Sequence, residues 1–206
     1  MLFDLDGVLV DSRTCIELVW HAWAAERGFD PAPFLRVAHG RRISETIRLV
    51  RPDLDAVAET RVLDAMEAVE TRGLHPVPGA VELVARRSDT QWAVVTSGSR
   101  VVATLRLRTA GLPIPRVFIT ADDVRRGKPD PEGYLLAAAR LSVTPRDCLV
   151  FEDSPTGLAA GQAAGMPVIA VLTTHPPTEL AGAVSRLDSL AALRLDAGPA
   201  GLSLGF

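Results

Sequence analysis

Between residues 80 and 172 short apolar runs, at 92–95, 117–119, 148–151 and 167–172, alternate with stretches of helical character. Such runs pair in parallel, because each intervening helix carries the chain back to the same end of the sheet. This alternation constrains the fold most, and it predicts an α/β, doubly wound parallel sheet. The runs also end in polar residues. Thr96-Ser97-Gly98-Ser99 closes the first, a loop containing Lys128 follows the second, and Glu152-Asp153-Ser154 closes the third.

The first residues obey the same rule. Met1 to Phe3 are apolar and run into Asp4-Leu5-Asp6-Gly7. Side chains alternate along a strand, so Asp4 and Asp6 start on one face. Gly7 permits a sharp turn just beyond them. Only three residues precede Asp4, so this strand is either short or begins upstream of Met1.

Residues from about 12 to about 76 carry no strand pattern. Helices are expected at about 13–27, 44–50 and 53–72, with a turn at Asp30-Pro31-Ala32-Pro33. Ile16, Val19, Trp20 and Trp23 share one face of the first, and Gly28 ends it. The two tryptophans are expected in the core of this block rather than on a ligand-facing surface. The expected organisation is a core of residues 1–11 and 79–206 and a helical cap, 12–78, inserted after the first strand. The breaks near Ser12 and at 76–79 are its hinges. Asp11 either caps the first cap helix together with Ser12 or steadies the hinge. Beyond 172 a strand near Val184 and a small hairpin are expected.

Composition excludes several classes. A net charge of −3 argues against a general nucleic-acid or membrane-surface binder. No apolar run is long enough for a membrane span and no leader pattern is present, so a cytoplasmic setting is expected. A monomer is the expected state, although nothing in the sequence fixes it. Cys15 and Cys148 lack metal-type spacing and read as free thiols in a reducing compartment. Of the 22 basic residues only Lys128 is lysine, and the chain has no asparagine. A lone lysine on an arginine background points to a role for a compact point charge that a planar fork cannot fill.

In open parallel sheets ligands bind outside the carboxyl ends of the strands. Asp4/Asp6, Thr96/Ser97, Lys128 and Glu152/Asp153 all fall there. Each alone reads equally well as a turn or a helix cap; four together at one edge do not.

DLDGVLVDS, VVTSGS, GKPDP and VFEDS, in this order, resemble the four motifs of the haloacid dehalogenase superfamily, in its helical-cap branch. The resemblance covers roughly residues 1–175. HGRRISETI, WAVVTSGSR, VFITADDVRRGKPDPEGYL and VFEDSPTGLAAGQAAG are most similar to glycerol-phosphate and 2-deoxyglucose-6-phosphate phosphatases.

That resemblance implies a Rossmannoid core and Mg²⁺-dependent hydrolysis of small sugar or polyol phosphates. Asp4 would attack phosphorus, forming an aspartyl-phosphate. Asp6 would protonate the leaving alkoxide, then deprotonate water. Asp4, Asp153 and the backbone carbonyl of Asp6 would hold Mg²⁺, and Glu152 either touches the ion or supports a group that does. Thr96, the Ser97 and Gly98 amides and Lys128 would hold the phosphoryl group. In the cap, His39, Arg41 and Arg42 are the residues expected to face substrate.

A phosphomutase like β-phosphoglucomutase, with the same core, is the second reading. A signalling receiver domain also carries Asp, Thr or Ser, and Lys at strand ends, but it lacks Asp6 and the helical insertion. A non-catalytic binding module would not need every functional side chain, and all are present.

Overall fold

The computed structural model describes residues 1–198 and 201–205, with side chains described as far as residue 193. Six parallel strands form the central sheet: β1 (Leu2–Phe3), β4 (Ala93–Val95), β5 (Val117–Ile119), β6 (Val150–Glu152), β7 (Val168–Val171) and β8 (Ser185–Leu187). Their order is β5-β4-β1-β6-β7-β8. The predicted doubly wound sheet is therefore present, with β1 between β4 and β6.

Period-two alternation sends the strand residues into two cores. Phe3, Val94, Phe118 and Phe151 face one layer, which includes α5 (Ala80–Ala85) and α6 (Arg100–Thr109). Leu2, Ala93, Val95 and Val150 face the other, under α7 (Glu132–Leu141) and α8 (Pro155–Ala163). With only two residues, β1 holds its place because it pairs on both edges and both its side chains are fully buried. An antiparallel hairpin, β9 (Arg194–Gly198) with β10 (Gly201–Gly205), follows the sheet.

Between β1 and α5 lie α1 (Arg13–Arg27), α2 (Ala32–Ala38), α3 (Ile43–Val50) and α4 (Ala56–Glu67). They pack a core of their own around Trp20, Trp23, Phe34 and Leu63. Trp20 stacks on Phe34 with ring centroids 5.4 Å apart, and the Trp23 indole donates to Glu59 over 2.7 Å. Gly28 ends α1 at φ 66°.

Three local expectations need correction. The turn expected at 30–33 is instead the start of α2, because Pro31 and Pro33 suit a first helical turn, where no amide partner is needed. The third helix of the block is shorter than 53–72: Asp55 caps α4 by accepting from the Val57 and Ala58 amides, and the helix stops at Glu67. Finally, the boundary is not strand-free. β2 (Val10–Asp11) pairs antiparallel with β3 (His75–Pro76). Two-residue strands are too short for alternation to show in the sequence.

In this ribbon Asp11 lies 3.3 Å from His75 Nε2 and also accepts from the Arg13 amide. Asp11 thus steadies the junction. Ser12 does not cap α1; its hydroxyl goes to Asp6.

Candidate active site

β1 is the point where strand order reverses, so the crevice at its carboxyl end is the natural ligand site. Asp4 is there, buried, and Lys128 Nζ stands 2.8 Å from its Oδ1. The same Nζ donates to Glu152 Oε1 over 2.5 Å. Glu152, at the end of β6, is fully buried, and three further donors engage it. Tyr134 Oη reaches Oε1 at 2.6 Å, while the Asp153 amide and Ser154 Oγ reach Oε2 at 3.2 Å.

Burial dominates the electrostatics. It pushes the Asp4 carboxyl up to about 7, against the opposing pull of Lys128 and with help from Glu152 and Asp6. Burial, with Asp4 and Glu152 beside it, also drives Asp153 well above the ordinary carboxylate range. For Lys128 burial works to remove the proton, but Asp4 and Glu152 outweigh it and raise the ammonium's pKa.

Such a group of acids suits a hard cation. Asp4, Glu152 and Asp153 each offer an oxygen within 4.8 Å of the others. Asp153 Oδ1 is buried without a hydrogen-bond partner, whereas its Oδ2 accepts from Thr174 Oγ1. A Cβ on Gly7, which has φ +76°, would stand 2.1 Å from that Oδ2, so the turn after Asp6 must be glycine for Asp153 to fit.

Asp6 lines the same mouth with different partners. Its Oδ1 accepts from Ser12 Oγ at 2.6 Å and its Oδ2 from Arg106 Nη1 at 2.7 Å. Arg106 is buried in α6, and its Nη2 donates to Glu67 Oε2 of α4 at 2.9 Å. Sequence reasoning missed Arg106, Glu67 and Tyr134. Each nonetheless interrupts an apolar stripe: Arg106 sits among Val102, Ala103 and Leu107, Glu67 follows Leu63 by one turn, and Tyr134 precedes Ala137 and Ala138. A polar group on a buried helix face was the available signal.

Thr96 is buried at the end of β4, and its Oγ1 accepts from the Gly98 amide at 3.1 Å. Ser97 Oγ donates to the Gly40 carbonyl of the helical block at 2.9 Å. α6 starts at Arg100, just beyond this loop. Asp4, Asp6, Asp153, Thr96, Ser97 and Gly98 share the lining of a cavity of about 240 Å³ roofed by the helical block.

His39, Arg41 and Arg42 belong to that roof. Their surroundings differ. Burial and nearby His175 lower the His39 pKa. Arg42 clasps the core loop instead, donating to the Val124 and Arg125 carbonyls at 2.8 and 3.2 Å. Arg41 has no ion-pair partner among the described residues.

Residues 1–165 match the family model of haloacid dehalogenase-like hydrolases. The chain belongs to this family. Hexitol phosphatase A of Escherichia coli is 45% identical over 175 residues, covering 82% of this chain and 81% of that protein. Glycerol-1-phosphate phosphohydrolase 2 of Saccharomyces cerevisiae is 36% identical, covering 84% and 74%. The fold agrees with a crystal structure of a hydrolase from Pseudomonas syringae, at TM-score 0.78 and 25% identity over 92% of this chain and 93% of that one. The expected kinship with haloacid dehalogenase-like sugar phosphatases thus stands. Among the described residues no helix is long and apolar enough to cross a membrane.

Proposed function

We propose that the chain is a Mg²⁺-dependent phosphatase of small sugar or polyol phosphates, acting through an aspartyl-phosphate on Asp4. One observation carries this reading: Asp4 is buried against Lys128 on the floor of a roofed cavity, beside the unpartnered oxygen of Asp153. The names of the relatives support the substrate class.

In the first step an Asp4 oxygen bonds to phosphorus, the bond to the substrate oxygen breaks, and Asp6 gives that oxygen a proton. In the second, Asp6 takes a proton from water, the water oxygen bonds to phosphorus, and the bond to Asp4 breaks, releasing phosphate. Lys128 balances charge on the transferring group, with Thr96 and the 97–98 amides around it. Asp4, Asp153 and the Asp6 carbonyl are the proposed Mg²⁺ ligands. Bound there, the ion neutralises the repulsion between carboxylate and phosphate dianion. Glu152, whose carboxylate already meets four protein donors, holds Lys128 in place.

Residues 12–78 act as the cap that excludes water and presents His39 and Arg41 to substrate, while Arg42 fastens the cap to the core loop at Val124 and Arg125. The free, buried thiols of Cys15 and Cys148 support a reducing, cytoplasmic setting.

A phosphate-release screen over glycerol, hexitol, deoxyhexose, hexose and pentose phosphates tests the proposal, with Mg²⁺ and with EDTA. Magnesium-dependent phosphate release is expected. Isomerisation of a hexose 1-phosphate without free phosphate identifies a phosphomutase instead, and a long-lived aspartyl-phosphate accepted from a kinase identifies a receiver.

A further inference from the structure

We infer that Arg106 is a positioning residue for Asp6, and that Glu67 links this position to the helical block. The inference rests on the phosphatase reading and assigns a role to groups that the proposed chemistry leaves unused.

Arg106 comes from α6 on the core side and is 3% exposed. One end of its guanidinium meets Asp6 at 2.7 Å; the other meets Glu67, from α4, at 2.9 Å. Its Nη1 lies 4.0 Å from where a Cβ on Gly98 would stand, so the guanidinium runs beside the loop of Thr96 and Ser97. All three charged groups line the cavity.

The Asp6 carboxylate is therefore held at both oxygens by groups outside its own strand. Ser12, at the foot of α1, takes one, and Arg106 takes the other. The second hold is only as fixed as α4, because Glu67 anchors the far side of the same planar fork. A shift of the helical block alters the Arg106 geometry and with it the aim of Asp6. Arginine suits this position because two diverging Nη donors on a rigid plane set two carboxylates at a defined separation, which one ammonium does not.

The consequence is specific to proton transfer. An alkoxide leaving group needs a correctly aimed acid; p-nitrophenolate needs almost none. The test compares the wild-type protein with Arg106→Lys and Glu67→Gln in Mg²⁺, on glycerol 1-phosphate and p-nitrophenyl phosphate. Arg106→Lys is expected to lower kcat on glycerol 1-phosphate about tenfold or more, and Glu67→Gln about threefold, with KM held within about twofold. First-turnover release of p-nitrophenol is expected to stay within about twofold in both. Circular dichroism checks folding, and Glu67→Gln carries the test if Arg106→Lys unfolds. Equal losses on the two substrates, a raised KM with intact kcat, or wild-type kinetics in both variants overturns the inference while leaving the phosphatase reading standing. A wild-type protein that releases no phosphate from p-nitrophenyl phosphate or from any ester of the screen overturns both.

Discussion

Lys128 is fastened to Glu152 more closely than to Asp4: Nζ lies 2.5 Å from Glu152 Oε1 and 2.8 Å from Asp4 Oδ1. The only lysine in the chain is thus wedged between two buried carboxylates, with the Tyr134 ring centroid 5.3 Å away. Space, as much as charge, defines the position.

Lys128→Arg keeps the charge but adds a planar fork to a site with no room for it. We expect kcat for phosphate release to fall about 100-fold, with the protein still folded by circular dichroism. Near-normal turnover would show that the lone lysine is incidental.

Gly157→Ala tests the same wedge from below. A Cβ there would lie 1.9 Å from the Glu152 carboxylate. Alanine in a helix normally stabilises relative to glycine by up to about 1 kcal/mol. Here we expect the opposite sign, a loss of about 1–3 kcal/mol in urea unfolding, with reduced activity as Glu152 and Lys128 shift together. A stabilised, fully active variant would contradict the packing.

Tyr134→Phe removes one donor from Glu152 without changing the ring. The expected cost is about 1–2 kcal/mol of stability, read from denaturant midpoints, with KM unchanged. An unchanged midpoint would mean that Lys128, Ser154 and the Asp153 amide satisfy Glu152 without it.

Asp4→Asn deletes the nucleophile and a costly buried charge together. Turnover is expected to fall by about 10³-fold or more, while melting temperature in EDTA is retained. Appreciable residual turnover would assign the nucleophile elsewhere.

Metal removal has a defined sign. In the metal-free protein Asp4 binds its proton up to about 7, against an ordinary 3.8, so the folded state holds that proton more tightly than the unfolded chain. The contribution is fully present below the ordinary value and disappears as pH rises through about 7. Asp153 acts in the same direction. EDTA-treated protein is therefore expected to melt at lower temperature at about pH 8 than at about pH 5.5. Mg²⁺ should restore stability at the higher pH, by about 2.7 kcal/mol at a hundredfold excess over its Kd. A melting temperature indifferent to Mg²⁺ at pH 8 would remove the metal from the proposal.

Much of this molecule is legible along the chain. The apolar runs, the acids at the end of the first, the glycine at 7 and the lone Lys128 are local patterns, and local patterns report strands, turns and the sheet edge where they converge. Periodicity likewise located α1 and its buried tryptophans. Tertiary structure alone decided how the acids divide their partners. Asp4 and Asp6 are two residues apart, yet one meets Lys128 while the other meets Ser12 and Arg106. Arg106 lies 100 residues from Asp6 and 39 from Glu67. Spacing along a helix or strand fixes which face a side chain takes; it carries no information on which distant group will fill the opposite half of a buried ion pair. That choice is made when the layers close, because only then does loss of water force each charge to find a partner.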